Sequence, residues 1–412
     1  MIRRAKLSRI NQLRCLNERY VYKIREPSSS ELNYNLGESE YVKKILNNYS
    51  KEVQYLNSIL KDFENHRQER SIKLTNERKE FIKLFQEKIC TANSKLIPVG
   101  SSATGLLFDQ EFIKLFQEKI CTANSKLIPV GSSATGLLYD QGADIDLCLY
   151  TEDLEFYKDF QKHKSLRIYI FNKMRHLVYE LKDIDPEFQV VESLSLVDLH
   201  VPIQIFTFKK DKRLSQVYLF IKKLFEALGL RNSKGGLLSS YHLMMLTIHF
   251  LQCRSMSKPV LPVLCSTIPH RVGPDVPAGT VVKLIDGEFG DYKLDWKSKN
   301  TQTPAELIFE MINYYRNFFD VNSHQIYINR GIAIKRVQNK NISPSLQIYD
   351  PYSPLSICKS PLISDAFSTG IRYIFRSMSF GKLIDSFPHF KEAKGFDKVI
   401  EDKPWSFKVK CR

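Results

Sequence analysis

The sequence of 412 residues lacks several features that would assign it to a common class of protein. Its most apolar stretch, residues 237–252, is too short and too polar to span a bilayer. The eight cysteines are scattered singly, with no Cys-x-x-Cys pair and no histidine cluster at zinc-binding spacing. No RNP motif, KH loop or zinc finger is present. These absences exclude a membrane helix and a zinc finger, and they favour reduced thiols in an intracellular protein.

Acidic residues are missing before Glu18, in a segment that holds five arginines and lysines. An ordinary basic arm and a mitochondrial transit peptide both show this composition. Over the whole chain the formal net charge is +16. Because Lys and Arg side chains that neutralise phosphates release bound counterions, this charge favours a polyanionic partner. A basic surface with no nucleic-acid partner is the alternative.

One segment of the chain is written twice. Residues 80–110 and 111–141 differ only where Phe108 of the first copy becomes Tyr139 in the second. Each copy predicts an amphipathic helix, a short strand in KLIPV and a Gly-Ser turn. Structural repeats drift apart and usually come in threes or more, so two near-identical copies indicate a recent duplication or a gene-model error. Only the second copy continues into the acidic segment ADIDLCLY.

Two carboxylates in this acidic segment, Asp144 and Asp146, are the first candidates for chemistry. Alternation along a strand places both on one face and the apolar side chains on the other. Such a pair can hold two divalent cations, although a solvated Asp-x-Asp pair is also common. The preceding Gly131 and Ser132 offer backbone N–H groups and a hydroxyl that suit a phosphate.

Three helices of the C-terminal half can be predicted from their patterns. The first has an apolar stripe with two lysines on its side, Lys222 and Lys223, and the stripe consists of Leu214, Val217, Ile221, Leu224 and Leu228. The second, up to residue 252, is apolar nearly all round and is therefore predicted to be buried, with Ser239 or Ser240 as its cap. The third, residues 305–319, opens with a capping box formed by Thr303 and Glu306.

In order and content these elements resemble the DNA polymerase β-like nucleotidyltransferases. The signature is VGS followed by DIDL, with eleven residues between Ser132 and Asp144. Downstream, the segments KKLF, LSSYHLMMLTIHFLQ, LPVL and ELIFEMINYYRNFFD are similar to the helical and PAP-associated regions of the noncanonical, cytoplasmic-type poly(A) RNA polymerases and of their terminal uridylyltransferase relatives.

The resemblance implies an α+β fold and a division of the chain. The fold would be a nucleotidyltransferase palm, a small mixed β-sheet with helices, joined to a mainly helical PAP-associated domain, with the active site in the cleft between them. Residues 1–79 would be a basic N-terminal helical extension, and 80–212 the palm, including the duplicate 80–110. Residues 213–376 would form the helical central and PAP-associated domain, and 377–412 a basic C-terminal tail.

The resemblance also implies roles for single residues around the acidic segment. Gly131 and Ser132 would hold the nucleotide's phosphates. Asp144 and Asp146 would be the catalytic carboxylates and would bind Mg²⁺ or Mn²⁺. ATP would be the substrate.

On the helical side, the resemblance implies that Lys222 or Lys223 reaches the triphosphate as a point charge. Ser240 would contact phosphate, and Tyr241 would stack on the base without reading its identity. Asp320 lies where such enzymes often read the base edge. The alternatives are a solvated helix face for the lysines and a core aromatic role for Tyr241.

The chain departs from the family at the third catalytic carboxylate. In the family a further palm strand carries this Asp, but here VPIQIF leads through residues 207–212 directly into the lysine helix. Asp211 or Asp198 would have to replace it, unless both simply face solvent. A missing general base costs about 10²–10⁴ in rate, so a catalytically inactive pseudoenzyme that binds RNA or a partner stays open as an alternative.

The expected function is that of an RNA 3′-terminal nucleotidyltransferase, which adds AMP from ATP to make poly(A) tails by a two-metal mechanism. The alternative is a terminal uridylyltransferase, which would catalyse the same chemistry on a nucleotide whose base has a different edge. The expected partners are RNA 3′ ends and an RNA-binding adaptor protein, with no membrane. The expected location is the cytoplasm, with the mitochondrion or the nucleus as alternatives.

The duplication and the missing strand together lead to a first prediction. We expect a transcript read across residues 80–141 and 206–213 to carry the repeated segment once and to contain the missing strand, because exons counted twice and skipped would produce both departures. A transcript that reproduces this sequence unchanged would contradict the hypothesis.

Overall fold

The computed structural model describes residues 36–90, 126–129, 147–150, 211–233, 235–252, 258–273, 296–336, 345–351 and 355–379, with single positions at 32, 34, 163, 168, 276, 387, 388 and 390. For residues 71 and 74–90 and for the strands 126–129 and 147–150, only the backbone is described. Helices dominate, and short strands form two small sheets. The fold is therefore α+β, as predicted from the sequence.

The chain divides into two compact units. One consists of Met1–Glu64 together with Pro202–Arg412, and the other of Asn65–Val201. The junction at Pro202 lies outside the described residues, so the three boundaries between the four predicted domains stay predictions. The described residues before Glu64 nevertheless belong to the unit that contains the C-terminal half.

The unit Asn65–Val201 contains a two-stranded antiparallel ladder. Strand β1, Lys126–Pro129, pairs with β2, Leu147–Tyr150, in a register that sets Lys126 opposite Tyr150 and Pro129 opposite Leu147. Strand β1 belongs to the second copy of the repeat, where the sequence predicts a strand in KLIPV. The helix predicted for the first copy is the C-terminal part of a much longer helix, Ser50–Cys90.

The other unit is built mainly from helices. In chain order they are α1 (Glu40–Asn48), α2 (Ser50–Cys90, which starts here and runs past Glu64), α3 (Lys212–Ala227), α4 (Ser240–Gln252), the single turns α5 (Leu264–Thr267) and α6 (Pro269–Val272), α7 (Pro304–Asn313) with a π-helical turn (Tyr314–Phe318), and α8 (Leu362–Ser379).

Local side-chain chemistry explains where these helices begin. The Ser39 hydroxyl accepts a hydrogen bond from the Val42 N–H at the start of α1. At α7 the capping box is complete, because the Glu306 N–H donates to the Thr303 hydroxyl and the Thr303 N–H donates to the Glu306 carboxylate. Each cap satisfies backbone donors that the helix itself leaves without acceptors.

The hydrophobic core of this unit lies where α3, α4, α7 and α8 meet. The predicted stripe of α3 is fully buried, and Tyr218, Leu219, Phe220 and Phe225 are buried as well, so the buried surface is wider than one stripe. Helix α4 is buried from His242 to Gln252. Burying a large apolar side chain contributes about 1.5–3 kcal/mol, so these two helices are major sources of stability.

A small sheet stands beside these helices. Strand β3, His324–Tyr327, pairs antiparallel with β4, Ile332–Lys335, and parallel with β5, Ile348–Tyr349. The hairpin between β3 and β4 turns at Gly331, where φ is +62°. A Cβ there would lie 2.5 Å from Val263 Cγ2. Both the backbone angle and the close packing therefore favour glycine at this position.

Two aromatic residues of the predicted basic tail contribute to the core. Phe387 and Phe390 are buried, and the Phe387 ring packs on Phe63 of α2 and on Phe220 of α3. Phe390 meets Phe220 edge-on at 5.4 Å. This part of residues 377–412 therefore helps to hold α3 in place.

A buried polar network joins the segment before α1 to helix α7. The Tyr34 hydroxyl and the Gly37 N–H both donate to the carboxylate of Glu310, the Gly37 bond at 2.8 Å. The Asn313 amide donates to the Tyr34 hydroxyl at 3.0 Å and to Ser39 Oγ at 3.2 Å. Because a buried carboxylate is costly unless its oxygens are satisfied, this network specifies where the N-terminal segment docks.

This network predicts a pH-dependent contribution to stability. Burial raises the pKa of Glu310 from its ordinary value of 4.5, although hydrogen bonds from Tyr34 and Gly37 oppose the shift. Because its pKa is raised, the protonated Glu310 side chain contributes fully to the free energy of unfolding below pH 4.5. This contribution is lost as the pH rises through the raised pKa. We therefore expect Glu310→Gln to gain stability relative to the wild type as the pH rises from 4.5 to neutrality.

The measurement is urea unfolding of both proteins across this pH range. The difference between their free energies of unfolding should change steadily in favour of the glutamine variant. A difference that stays constant with pH, or that moves the other way, would show that Glu310 is not titrating with a raised pKa.

Candidate functional site

The four residues predicted to hold phosphate and metal in the palm lie in one connection. Strand β1 ends at Pro129 directly opposite Leu147, the first residue of β2, so the connection of residues 130–146 begins and ends at the same end of the ladder. Gly131, Ser132, Asp144 and Asp146 all belong to this connection, and they lie outside the described residues. Their roles stay predictions.

The two predicted phosphate-binding lysines lie on α3, as expected. Lys222 and Lys223 are both half-buried on the side of a helix whose other faces are in the core. Lys223 Nζ lies 3.4 Å from Glu226 Oε2, one turn further along the helix. Both side chains of this pair are 26% exposed, so solvent screens it in part and its contribution to stability is modest.

Ser240 and Tyr241 form the first turn of α4, the end of that helix that is not buried. The cap is Ser239, whose hydroxyl accepts from the His242 N–H at 3.1 Å, while its own N–H donates to His242 Nδ1 at 3.0 Å. Nδ1 is thus the acceptor, and His242 Nε2 donates to the Ile357 carbonyl at 3.2 Å. Burial lowers the pKa of His242, which favours this neutral tautomer.

A charged side chain that the sequence analysis missed links the two helices. Arg231 Nη1 donates to Ser240 Oγ at 2.9 Å, and Arg231 Nη2 lies 2.7 Å from Glu226 Oε1. The Glu226 carboxylate therefore contacts Lys223 through one oxygen and Arg231 through the other. This arrangement brings the predicted phosphate contacts of α3 and α4 into one network.

A glycine turn places Arg231 in this network. After α3 the Gly229 N–H donates to the Glu226 carbonyl, and the Leu230 N–H donates to the Phe225 carbonyl. With φ of +65° at Gly229, these bonds form a Schellman motif, in which the chain reverses over the last helical turn. The glycine directly after the apolar stripe is a sequence signal that could have predicted this turn. No sequence signal could have predicted the partners of Arg231.

Tyr241 is held by a buried carboxylate. Its hydroxyl donates to Asp350 Oδ2 at 3.4 Å, and Asp350 is buried just beyond β5. The Tyr241 residue itself is half-buried. Stacking of the ring on a base and the alternative of a core aromatic role both stay predictions.

Asp320 lies after the π-helical turn that ends α7. It is exposed, and its carboxylate accepts from the Asn322 N–H at 2.9 Å and from the Ser323 hydroxyl at 2.7 Å. Partial burial alone would raise the pKa of Asp320, but these hydrogen bonds and the nearby His324 and Arg336 outweigh it and lower the pKa. The side chain is thus ionised and organises its own loop, and its described hydrogen bonds do not join it to Ser240 or Lys223.

Asp211, one candidate for the third catalytic carboxylate, has a structural role. It is the N-cap of α3, where Oδ1 accepts from the Arg213 N–H at 2.9 Å and Oδ2 from Arg213 Nη2 at 2.7 Å. Arg213 in turn donates to the Asn300 side chain and to the Gln302 carbonyl, each at 3.0 Å. The other candidate, Asp198, lies outside the described residues.

Comparison with known proteins relates the chain to one enzyme group. No protein-family model matches it. Its sequence is 31% identical over 206 residues to the Poly(A) RNA polymerase gld-2 homolog A of Drosophila melanogaster, and 28% identical over 126 residues to the Poly(A) RNA polymerase GLD2 of Homo sapiens. Over these regions the sequence is similar to poly(A) RNA polymerases. This confirms the resemblance on which the predicted roles depend.

The relationship covers part of each protein. The matched region is 47% of this chain and 14% of the fly polymerase, and 31% of this chain and 25% of the human one. Among solved structures, Cid1 in complex with its short product ApU shares the fold, with a TM-score of 0.51 and 15% sequence identity over 84% of this chain and 98% of that chain. At this identity the likeness shows the fold alone.

Two further observations bound the site within the part of the chain that the structure describes. No helix there is long and apolar enough to cross a membrane. No group of three or more His, Cys, Asp or Glu side chains is arranged there to hold a metal ion.

The capping role of Asp211 yields a prediction that separates structure from catalysis. Asn caps helices about as well as Asp but carries no charge, so we expect Asp211→Asn to keep most of the stability and all of any RNA-extension activity. Asp211→Ala should cost about 1–2 kcal/mol, since it removes the cap and leaves Arg213 without its carboxylate partner.

The measurements are urea unfolding and RNA extension for both variants. If Asp211→Asn folded normally but lost extension that the wild type shows, Asp211 would be acting as a catalytic carboxylate and the purely structural assignment would be wrong.

Proposed function

We propose that the chain is an RNA 3′-terminal nucleotidyltransferase that adds AMP from ATP to make poly(A) tails. The observation that carries this proposal is the sequence relationship to the poly(A) RNA polymerases of fly and human. The shared fold supports it, as does the pairing of the second repeat copy with the strand that follows the two carboxylates.

In this proposal Asp144 and Asp146 hold Mg²⁺ or Mn²⁺. The metal would supply polarisation of the attacking 3′-hydroxyl and neutralisation of the leaving pyrophosphate. The first copy has no Asp-x-Asp pair at the matching position. The second copy, which continues directly into both carboxylates, is therefore the one that belongs to the proposed catalytic site.

In this proposal the mainly helical unit contributes further groups that bind the nucleotide. Lys222 or Lys223 and the Ser240 hydroxyl would contact the triphosphate, together with Gly131 and Ser132 of the palm. Phosphate oxygens attract ammonium groups and accept hydrogen bonds, and Lys223 and Ser240 are already linked through Glu226 and Arg231.

Contacts with the base would fall to Tyr241 and Asp320, and selection of the base to Asp320 alone. A tyrosine ring stacks on any base, so Tyr241 would bind without discriminating. The ionised Asp320 can only accept hydrogen bonds, which suits the amino group on the edge of adenine. UTP lacks this amino group, but the transfer reaction is otherwise the same. A uridylyltransferase would therefore differ only in how the protein contacts the edge of the base.

RNA binding would depend on charge and on a partner. The net charge of +16 favours the RNA backbone. No recognised RNA-binding motif is present in the sequence, so we propose that an RNA-binding adaptor protein brings the enzyme to its messages in the cytoplasm. This arrangement would assign sequence choice to the adaptor and chemistry to this chain.

A second candidate function is favoured by one observation. Asp211, near the place of the missing third carboxylate, is used as a helix cap and as the partner of Arg213. If no other carboxylate completes the site, the chain is a pseudoenzyme that binds RNA or a partner without turnover.

Primer extension tests the proposal directly. The full chain is incubated with a labelled A-rich RNA oligonucleotide, Mg²⁺ or Mn²⁺, and each nucleoside triphosphate separately. We expect extension with ATP that falls by about 10²–10⁴-fold in Asp146→Ala, the range for loss of an essential catalytic group. Preference for UTP would instead indicate a uridylyltransferase, and RNA binding with no extension by any nucleotide would indicate the pseudoenzyme.

The duplication offers a matched control. Ser101 and Ser132 occupy the same position in the two copies, within identical local sequence. Ser132→Ala should lower extension, because it removes a phosphate contact, whereas Ser101→Ala should not. Equal effects of the two substitutions would contradict the assignment of catalysis to the second copy.

A further inference from the structure

We propose that Arg231 is a positioning residue for the nucleotide's phosphates and that it acts through Ser240. This inference rests on the proposed function, because it concerns the same nucleotide site. Arg231 bridges the two helices that carry the predicted phosphate contacts: one end of its guanidinium binds Glu226 on α3, and the other binds Ser240 on α4.

The direction of the hydrogen bond at Ser240 carries the argument. A guanidinium has only N–H donors, so in the 2.9 Å contact between Arg231 Nη1 and Ser240 Oγ the serine oxygen must be the acceptor. The hydroxyl proton of Ser240 then remains to be donated elsewhere. A phosphate oxygen accepts hydrogen bonds, so a serine that binds phosphate must present its proton. Arg231 holds Ser240 in that state.

A second interaction holds the same side chain. The buried Tyr218 of α3 also hydrogen-bonds to the Ser240 side chain. The Ser240 hydroxyl is therefore held from α3 and from the loop that follows it, although Ser240 is only half-buried. A hydroxyl held from two sides loses less rotational freedom when the nucleotide binds.

Arg231 itself is held in a defined position. The Schellman turn at Gly229 directs the chain back over α3, and the 2.7 Å contact with Glu226 holds the far end of the guanidinium. The Asn232 side chain accepts from the Gly235 N–H at 3.0 Å, which organises the loop beyond it. A planar fork with both ends occupied is specific to arginine, since a lysine has a single ammonium group.

The test measures binding of MgATP to the full chain without RNA, for Arg231→Met, Arg231→Lys, Ser240→Ala and Arg231→Met/Ser240→Ala. We expect Arg231→Met to weaken binding by about tenfold, the size of one hydrogen bond to a charged group. Arg231→Lys should restore little of this loss, because one ammonium cannot occupy both ends of the bridge. The matched control is Arg372→Met, an exposed arginine on α8 whose Nε contacts only the Ser368 carbonyl at 3.3 Å among its described hydrogen bonds.

The double variant decides between positioning and direct contact. If Arg231 acts through Ser240, the double variant binds MgATP as Ser240→Ala does, because the arginine has nothing left to position. If the two losses multiply, Arg231 contacts the phosphates itself and the positioning role is overturned. Full rescue by Arg231→Lys would also overturn it, because the position would then require only a positive charge.

Three further results separate this inference from other failures. The urea midpoints of Arg231→Met and Arg231→Lys should match the wild type, and a marked fall in both would assign the bridge a purely structural role and overturn the proposal. Wild-type chain that binds MgATP but extends no RNA would contradict the proposed function while leaving this inference testable by binding. Wild-type chain that does not bind MgATP would overturn this inference.

Discussion

The burial of helix α4 is the constraint on which the described site depends. From His242 to Gln252 the helix is enclosed, so every polar group on it must find a partner inside the protein or remain unsatisfied. Thr247 donates to the Leu243 carbonyl one turn back, and the Gln252 amide donates to the Pro262 carbonyl. Because it is enclosed in this way, the helix is fixed in one position. Its first turn, which carries Ser240 and Tyr241, is fixed with it.

His249 shows how far this enclosure goes. Its Nδ1 contacts the Tyr315 hydroxyl at 3.1 Å, while its Nε2 is buried without a hydrogen-bond partner. Burial lowers the pKa of His249 to about 3, so the ring stays neutral at physiological pH. A positive charge is excluded from the interior of α4, and the positive charges beside its first turn belong to α3 and to the loop after it.

Several elements could be predicted because their signals are local. The stripe of α3 and the capping box at Thr303 depend on residues a few positions apart, and the structure confirms both. The π-helical turn Tyr314–Phe318 was not predicted, since a continuous aromatic run does not distinguish one helical period from another. Likewise, nothing near Glu310 in the sequence indicates Tyr34 as its partner, because 276 positions separate them.

From the sequence alone came three helices of the C-terminal half and the family resemblance, which implied the α+β class and the residues expected to bind nucleotide. The helices and the resemblance depend on local patterns and on spacing along the chain, which need no knowledge of what lies nearby in space. Only the tertiary structure decided that Arg231 joins Glu226 to Ser240, that Asp211 serves α3 as a cap, and that Phe387 belongs to the core. Hydrogen bonds and burial depend on distances between atoms, and only the folded chain brings these atoms together.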